Sequence, residues 1–296
     1  MPERDDQRDA PETRRREARF HDAWAAELVD PAATPVRECF EAPFAQENRF
    51  ILRLLGDLTG CRLLDVGCGP GESAVYFALR GARVTAADVS PAMLGHCQAV
   101  ARYHGTTVTT LESPAEALAL PDASFDVVYA ANVLHHVTDQ ERALAEFRRV
   151  LVPGGIVVTW DPLAYNPVIN IYRRMADRVR SADEAPLDVS ILRVFERHFT
   201  GVRHREFWLL GLAIFLKYYL VDRVHPNEER YWRRILGPHG RTTVGIVRGL
   251  MGVDRALLRL PLLGRLAWNT VIWGRRPDDT CPGAPPVPAA RPSAGP

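Results

Sequence analysis

Apolar residues along this chain occur in two alternating patterns. Short runs that are almost entirely apolar are separated by longer segments in which apolar side chains recur every three or four residues. The longer pattern is typical of helices with one buried face, and the short runs are typical of strands covered on both faces. The alternation therefore predicts an α/β fold, a parallel sheet with helices on both sides. The predicted strands are 63–66, 83–87, 108–111, 125–130 and 156–160.

Capping signals predict where several helices begin. Ser90 before Pro91 is an N-cap followed by a proline at the first helical position, and the helix that starts there is expected to reach about His104. Thr138 and Glu141 have the spacing of a capping box at the start of another helix. Further helices are predicted within 37–60 and over 73–79.

The chain beyond residue 200 departs from this alternation. Residues 202–208 and 267–274 each have the composition of a strand, and an apolar insertion at about 211–264 separates them. Its longest apolar run, from Phe207 to Leu216, is too short to cross a bilayer, which needs about 20 residues. The insertion is expected to form helices that act as a lid or face a membrane surface, or that pack as an ordinary second layer of core helices.

Length, charge and cysteine content narrow the class of protein. The chain has 296 residues with 37 basic and 36 acidic side chains, so no overall field points to a nucleic-acid partner. Its five cysteines show no C-x-x-C spacing and no signal peptide precedes them, which predicts a cytoplasmic protein. No metal site is predicted, because Cys68, His96 and Cys97 are better explained as scattered buried side chains.

Both ends of the chain are expected to be disordered. Residues 1–19 hold six arginines and six acids with almost no large apolar side chain, and residues 276–296 hold seven prolines among small residues. Neither segment can bury enough apolar surface to offset the entropy lost on ordering. The folded part is therefore predicted to be a single domain over 20–275.

A glycine-rich turn between the first predicted strand and helix is the strongest chemical signal. Residues 63–73 read Leu-Leu-Asp-Val-Gly-Cys-Gly-Pro-Gly-Glu-Ser, with glycines at alternate positions and Asp65 and Glu72 at the two sides. A dinucleotide loop has the spacing G-x-G-x-x-G and holds a phosphate, which these carboxylates would repel. A cationic cofactor without phosphate, such as S-adenosylmethionine (SAM), suits them better. An NAD-dependent oxidoreductase is the alternative.

Four motifs in order resemble the class I SAM-dependent methyltransferases, in particular the small-molecule branch with the menaquinone and ubiquinone C-methyltransferases. They are LLDVGCGPGES at 63–73, the acid at the end of the second strand in VTAADVSPAML, PDASFDVVYAANVLHH at 121–136 and EFRRVLVPGG at 146–155. Together they cover about 60–165. The resemblance implies a Rossmann-like sheet, and the second half of the chain adds a helical insertion between its last two strands.

The resemblance also implies a set of cofactor-binding residues. Asp65 and the glycine loop would hold the methionine part of SAM, Asp88 its ribose hydroxyls and Met93 its adenine ring. The backbone near Ala115 would meet the adenine edge, but Pro114 stands where the family often has an aspartate, so Ser113, Glu112, Glu116 or a water would replace it. The implied set is Asp65, Gly67, Cys68, Gly69, Gly71, Asp88, Val89, Met93, Ala115, Glu116 and Asn132.

Candidate catalytic residues follow the fourth and fifth strands. His136 is the first candidate for a general base, and similar O-methyltransferases place an acid at the position of Asp161; His135 and Tyr165 are further candidates. Each also has a structural explanation, as a packed histidine, a turn acid or a packing ring. Arg173 and Arg174 would suit an anionic acceptor, although a solvated helix face explains them as well.

These observations predict a SAM-dependent methyltransferase that modifies an oxygen or carbon atom of a small, lipophilic metabolite in natural-product or lipid biosynthesis. The alternatives are the NAD-dependent oxidoreductase and a SAM-binding protein without catalysis. No nucleic acid is expected as a partner, and the insertion adds the expectation of a peripheral membrane contact. The sequence leaves the acceptor and the oligomeric state open.

Overall fold

Seven strands form one mixed sheet in the computed structural model, which describes residues 10–176, 184–237, 239 and 241–278. The strand order is β3-β2-β1-β4-β5-β7-β6, where β1 to β5 are parallel and β7 runs antiparallel to both of its neighbours. The predicted Rossmann-like α/β fold is confirmed. The strands are β1 Arg62–Val66, β2 Arg83–Asp88, β3 Thr109–Glu112, β4 Phe125–Ala131, β5 Leu151–Pro162, β6 Thr200–Phe207 and β7 Asn269–Arg275.

Helices cover both faces of the sheet. They are α1 Ala10–Ala26, α2 Glu38–Glu41, α3 Gln46–Leu55, α4 Glu72–Leu79, α5 Pro91–Tyr103, α6 Gln140–Val150, α7 Pro167–Met175, α8 Ile191–His198, α9 Ala213–Leu220, α10 Tyr231–Leu236, α11 Arg241–Leu257 and α12 Pro261–Gly264.

Alternate residues of each inner strand enter two separate cores. Leu63 packs in a core that contains α4 and α5, whereas its neighbour Leu64 packs in a core that contains α6 and α8. Both leucines are completely buried, as expected for a strand covered on both faces. The near-continuous apolar runs in the sequence follow directly from this double coverage.

Hydrogen bonds at the helix starts confirm one capping prediction and correct another. The Ser90 hydroxyl accepts from the Met93 amide at 3.1 Å, as an N-cap should. In α6 the cap is Asp139, whose carboxylate accepts from the Arg142 amide at 2.9 Å. The sequence predicted Thr138 as the cap, but the cap is the next residue, Asp139. An aspartate satisfies the free amides as well as a threonine and adds a favourable charge at the helix start.

Residues 10–19 contradict the prediction of a disordered N-terminal tail, because they form the first half of α1. The prediction considered only large apolar side chains, whereas α1 buries the polar side chains of Thr13 and Glu17 against the rest of the fold. Asp22, further along α1, accepts hydrogen bonds from the Ser90 hydroxyl at 2.5 Å and the Ala92 amide at 3.3 Å. Residues 1–9 and 279–296 lie outside the described part of the chain.

The predicted insertion between β6 and β7 is confirmed as helical and comprises a 3₁₀ turn at Leu210–Leu212 followed by α9 to α12. Its apolar side chains Phe215, Tyr218 and Tyr231 are buried in the core that contains α4 and α5. The Asp254 carboxylate accepts from the amides of the three residues 209–211 and so ties α11 to the 3₁₀ turn. Across the described residues, no helix has both the length and the apolar content needed to cross a membrane.

We predict that Gly71→Ala destabilises the protein much more than Gly69→Ala. Both glycines have positive φ, +96° and +50°, so an L side chain costs about 1–2 kcal/mol of strain at either position. At Gly71 a Cβ would also lie 2.6 Å from the Cys97 sulfur and 2.9 Å from its Cα, and such overlap adds about 1–3 kcal/mol. At Gly69, leaving out the two adjacent residues, no atom of the described part of the chain lies within 4 Å of the added carbon.

Urea unfolding of the two variants measures the difference in the free energy of unfolding. If both variants lose the same free energy of unfolding, the close packing of Gly71 against Cys97 of α5 does not add to the cost of a side chain.

Candidate active site

A cavity of about 440 Å³ opens at the edge of the sheet where β1, β2 and β4 end. Its size lies within the range of about 300–1,000 Å³ that is common for small-molecule sites. The glycine turn forms one part of the wall, α1 forms another, and aromatic side chains of α7, α10 and the β7 entry form much of the rest. The sheet edge is where ligands bind in open parallel sheets.

The Asp88 carboxylate holds the glycine turn in place. Its Oδ2 accepts from the Gly69 amide at 2.9 Å, and its Oδ1 accepts from the Ser90 amide at 2.9 Å. Gly67 has positive φ, and a Cβ there would lie 2.4 Å from a Val133 methyl group. Asp88 thus links the turn after β1 to the start of α5, and each of its oxygens can still accept another hydrogen bond from a ligand.

Most of the predicted cofactor residues line the cavity, and three do not. The lining residues are Gly67, Cys68, Gly69, Asp88, Val89, Ala115, Glu116 and Asn132. Asp65, Gly71 and Met93 lie behind that wall, where Asp65 accepts a hydrogen bond from the Ser73 hydroxyl at 2.6 Å. Burial raises the pKa of Asp65 to about 7, against the opposing effect of that hydrogen bond. Asp65, Gly71 and Met93 therefore shape the turn and the start of α5 from behind.

Pro114 has no side-chain acceptor for a hydrogen bond from the adenine edge, and two residues of the cavity wall near it are candidates to replace it. Ser113 and Glu116 both line the cavity. The Ser113 hydroxyl donates to the carbonyl of Ala117 at 2.9 Å, and Glu116 lies 3.4 Å from the Arg14 guanidinium. Glu116 is therefore the carboxylate on this side of the cavity, and its charge is balanced from α1.

Two adjacent histidines after β4 have different partners. Nδ1 of His135 lies 2.8 Å from Oδ1 of Asp161, and the same oxygen accepts from the His135 amide at 3.2 Å. Asp161 is completely buried at the end of β5, and burial raises its pKa to about 8 although the hydrogen bond from the His135 amide and the charge of His136 oppose this. Asp161 thus does not line the cavity; it orients His135, which does.

His136 faces α1. Its Nδ1 lies 3.2 Å from Oε2 of Glu17, and its ring lies 6.0 Å from the ring of His21. Burial disfavours the charged ring, but the contact with Glu17 and the charges of Glu184 and Asp161 outweigh it, so the pKa of His136 is raised.

The remaining predicted residues are Tyr165, after β5, and the two arginines of α7, Arg173 and Arg174. Tyr165 is partly exposed, does not line the cavity, and its hydroxyl accepts from the Val189 amide at 3.4 Å. Arg173 lines the cavity, whereas Arg174 does not, and Arg173 donates to the side-chain oxygen of Asn170 at 3.0 Å.

The sequence prediction missed the contribution of α1. Thr13, Glu17, His21 and Trp24 recur every three or four residues along this helix, and all four line the cavity. This spacing was the available signal, but three of the four side chains are polar, and apolar periodicity does not detect them.

The aromatic wall was also missed, because its members come from distant parts of the chain. Trp160 and Tyr129 are joined by a hydrogen bond of 3.1 Å from the indole to the phenol, and Phe215 packs between Tyr172 and Trp268 with ring centroids 5.1 and 5.2 Å away. The aromatic lining residues are Phe20, Trp24, Phe40, Phe44, Tyr129, Trp160, Tyr172, Trp208, Trp232 and Trp268. The cavity is therefore suited to an apolar molecule.

Part of this chain is similar to known proteins. Residues 64–159 match the family model described as "Methyltransferase domain". A demethylmenaquinone methyltransferase of Thermus thermophilus is 38% identical over 40% of this chain and 56% of its own length. A malonyl-[acyl-carrier protein] O-methyltransferase of Serratia marcescens is 39% identical over 47% of this chain and 54% of its own length. The chain thus spans about half the length of these curated relatives.

A solved structure extends the likeness of the fold beyond the matched segment. The phosphoethanolamine N-methyltransferase 2 of Haemonchus contortus in complex with S-adenosyl-L-methionine superposes with a TM-score of 0.55 at 16% identity, over 88% of this chain and 60% of that one. At this identity the likeness concerns the fold alone. The predicted resemblance is confirmed for the segment that contains the glycine turn, Asp88 and both histidines.

Proposed function

We propose that this chain, whose residues 64–159 match the family model of a methyltransferase domain, is a class I SAM-dependent methyltransferase. It transfers the methyl group of SAM to an oxygen or carbon atom of a small, lipophilic metabolite. One observation carries the proposal: the glycine turn with Asp88 borders the same cavity as His135, which Asp161 orients from behind, and the remaining wall is largely aromatic. A cofactor site and a proton acceptor thus share one chamber with an apolar pocket.

The cofactor is SAM, and the turn after β1 is the proposed seat of its methionine part. Gly67 and Gly69 let the backbone approach the ligand without an intervening side chain. Glu72 lines the cavity as a half-buried carboxyl whose pKa is raised by loss of solvent, and it stands beside the turn where a phosphate would meet it in a dinucleotide site. Asp88 is proposed to accept the ribose hydroxyls.

His135 is proposed as the proton acceptor. In the transfer step the bond between sulfur and the methyl carbon breaks as the new bond to the acceptor forms, which leaves a neutral thioether, and the acceptor loses a proton. Asp161 holds the His135 ring by Nδ1, so the proton is proposed to go to the other ring nitrogen. His136, the first candidate from the sequence, is less well oriented, because its Nδ1 lies 3.2 Å from the Glu17 carboxylate without a hydrogen bond of normal geometry within the described residues.

The wall of the cavity supports a lipophilic acceptor. Tyr172 comes from α7, and Trp208 and Trp268 come from the segments just before and just after the insertion. Trp232 and Ile235 of the insertion complete that side. The insertion therefore supplies acceptor-facing surface and also packs in the core, which combines two of the roles considered from its sequence. The relatives are named for quinone and acyl-carrier substrates, and a similar class of acceptor is proposed here.

We predict that the purified protein binds SAM and S-adenosylhomocysteine, and binds NAD about 100-fold or more weakly, because like charges brought together cost several kcal/mol. Asp88→Ala should weaken SAM binding by about 1.5–3 kcal/mol, the scale of hydrogen bonds to a charged group. Calorimetric titration with the three ligands measures both effects, and Asp57→Ala, which removes an exposed turn acid, is the control. Tighter binding of NAD than of SAM would restore the oxidoreductase alternative.

We predict that His135→Gln lowers turnover by about 10²–10⁴-fold with SAM affinity unchanged, because a general base acts on the acceptor. Asp161→Asn should lower turnover less, since the base remains but is less well oriented. Tyr165→Phe is the matched control and should keep full activity. Formation of S-adenosylhomocysteine is measured against a panel of lipophilic quinols and phenols.

Full turnover by His135→Gln would show that alignment alone drives the reaction. SAM binding without turnover on any lipophilic member of the panel would favour the non-catalytic alternative.

An exposed apolar and basic surface on the insertion supports the further proposal that a cytoplasmic form of this protein docks on anionic membranes. Leu260 and Leu262, at the start of α12, are 54% and 77% exposed. Burial and the charges of Arg53, Arg255 and Arg259 lower the pKa of the Arg205 guanidinium, so these four like charges stand close together. Arg259 directly precedes Leu260 in the sequence. Apolar side chains among arginines fit the boundary between acyl chains and acidic headgroups.

We predict that the protein sediments with phosphatidylcholine vesicles that contain phosphatidylglycerol and that Leu260→Glu with Leu262→Glu weakens this binding at least about tenfold, because each leucine contributes about 1.5–3 kcal/mol when fully buried. Val29→Glu is the control. It changes an exposed apolar residue shortly after α1 and should bind as the original chain does. Point substitutions are preferable to removal of the insertion, whose tyrosines are part of the core.

Equal binding to vesicles with and without phosphatidylglycerol, or no binding at all, would reject the membrane proposal and leave the proposed methyl transfer untouched.

A further inference from the structure

We propose that Glu17, His21 and His136 form a site for a first-row divalent metal ion of the zinc type, between α1 and the segment after β4. One ligand atom from each side chain lies within 4.8 Å of the other two. Two imidazole nitrogens and a carboxylate oxygen are donors that zinc and its neighbours in the series bind well. The proposal departs from the sequence expectation, which found no metal site because it considered only cysteine-containing groups.

The spacing of the donors matches the requirement of one shared cation. Oε2 of Glu17 lies 3.2 Å from Nδ1 of His136 and 3.7 Å from Nε2 of His21. A tetrahedral zinc ion with bonds of about 2.0–2.2 Å separates its ligand atoms by about 3.3–3.6 Å. Both observed separations lie close to this range, and the imidazole nitrogens of His21 and His136 lie within 4.8 Å of each other. Rotation of the side chains would bring the three donors onto one ion.

The environment of His136 supplies an independent argument. Its Nδ1 is buried and, within the described ranges of the chain, makes no hydrogen bond of normal geometry, although the Glu17 carboxylate is 3.2 Å away. A contact that is close but badly directed is a poor hydrogen bond, so the two groups attract each other mainly through their charges. A cation between the two atoms would instead accept a lone pair from each.

Secondary structure holds the donors on one side of the cavity. Glu17 and His21 are four residues apart on α1, so the helix presents both on one face. His136 is adjacent to His135, which Asp161 fixes in place, and the rings of Phe20 and Trp24 lie 5.5 and 5.9 Å from the His21 ring. Apolar surroundings of this kind keep water from competing for the metal.

A second carboxylate lies next to this group. Glu184 forms, with His135 and His136, another set of donor atoms within 4.8 Å of one another. Three protein ligands leave the fourth position of a tetrahedral ion open, as in catalytic zinc sites, where water or substrate occupies it. Binding of the metal does not depend on the proposed methyl transfer, and it can be tested without SAM or an acceptor.

The test is a titration of the full chain with Zn²⁺ against a chromophoric chelator, after treatment with EDTA and removal of the chelator. We expect one tightly bound ion per chain and at least about tenfold weaker binding by Glu17→Gln and by His21→Asn, since even outer partners of metal ligands contribute this much. His204→Asn is the matched control, because it removes a histidine that pairs with Glu206 outside the cavity.

X-ray absorption at the zinc edge of the loaded chain provides a readout that needs no variant, and two imidazole ligands are expected. Circular dichroism checks that each variant is folded. The proposal is rejected if zinc is not taken up in a one-to-one ratio, if the folded His21→Asn chain binds as tightly as the original, if His204→Asn weakens binding equally, or if the absorption spectrum lacks imidazole ligands.

Discussion

Parallel pairing of β2, β1, β4 and β5 is the constraint on which the site depends. Parallel strands end at one edge of the sheet, and the register pairs Asp88 with Glu112 and Ala131 with Trp160 at that edge. The glycine turn, Asp88, the histidines and Asp161 are far apart in the sequence but follow neighbouring strands. Antiparallel pairing of these strands would have sent half of them to the opposite edge, so the chemistry of the cavity follows from the direction of the strands.

Local sequence signals were sufficient for this part of the molecule. A buried parallel strand needs an apolar run, and a turn with positive φ needs glycine, so both can be recognised from a few adjacent residues. The signals say less about what each side chain contacts. Asp65 has the position expected of a cofactor ligand, yet its carboxylate accepts a hydrogen bond from Ser73 behind the cavity wall. A motif residue can therefore support the loop that meets the ligand without lining the cavity itself.

The two walls that the sequence left unassigned are those made by tertiary contacts. The aromatic wall joins Trp160 of β5, Tyr172 of α7 and Trp268 just before β7, and no periodicity within one segment relates them. The N-terminal helix was overlooked for a different reason: it buries polar side chains, whose burial is favourable only when a partner is present. Arg14 finds Glu116 and Asp22 finds Ser90, and neither partner could be identified before the fold was known.

The polar character of the contacts made by α1 has a consequence for access to the cavity. Apolar packing stabilises an element in proportion to the area that it removes from water, whereas a partly exposed ion pair such as Arg14–Glu116 contributes only about 0–1 kcal/mol. The sheet and its covering helices are held by two extensive apolar cores, but none of the α1 side chains that the structure describes belongs to either. Elements with few buried apolar contacts open at the lowest free-energy cost. Because α1 also covers the cavity, the wall that is easiest to displace is the one that carries Glu17 and His21, and a ligand that bridges α1 to the β4 side would add the stability that the helix lacks.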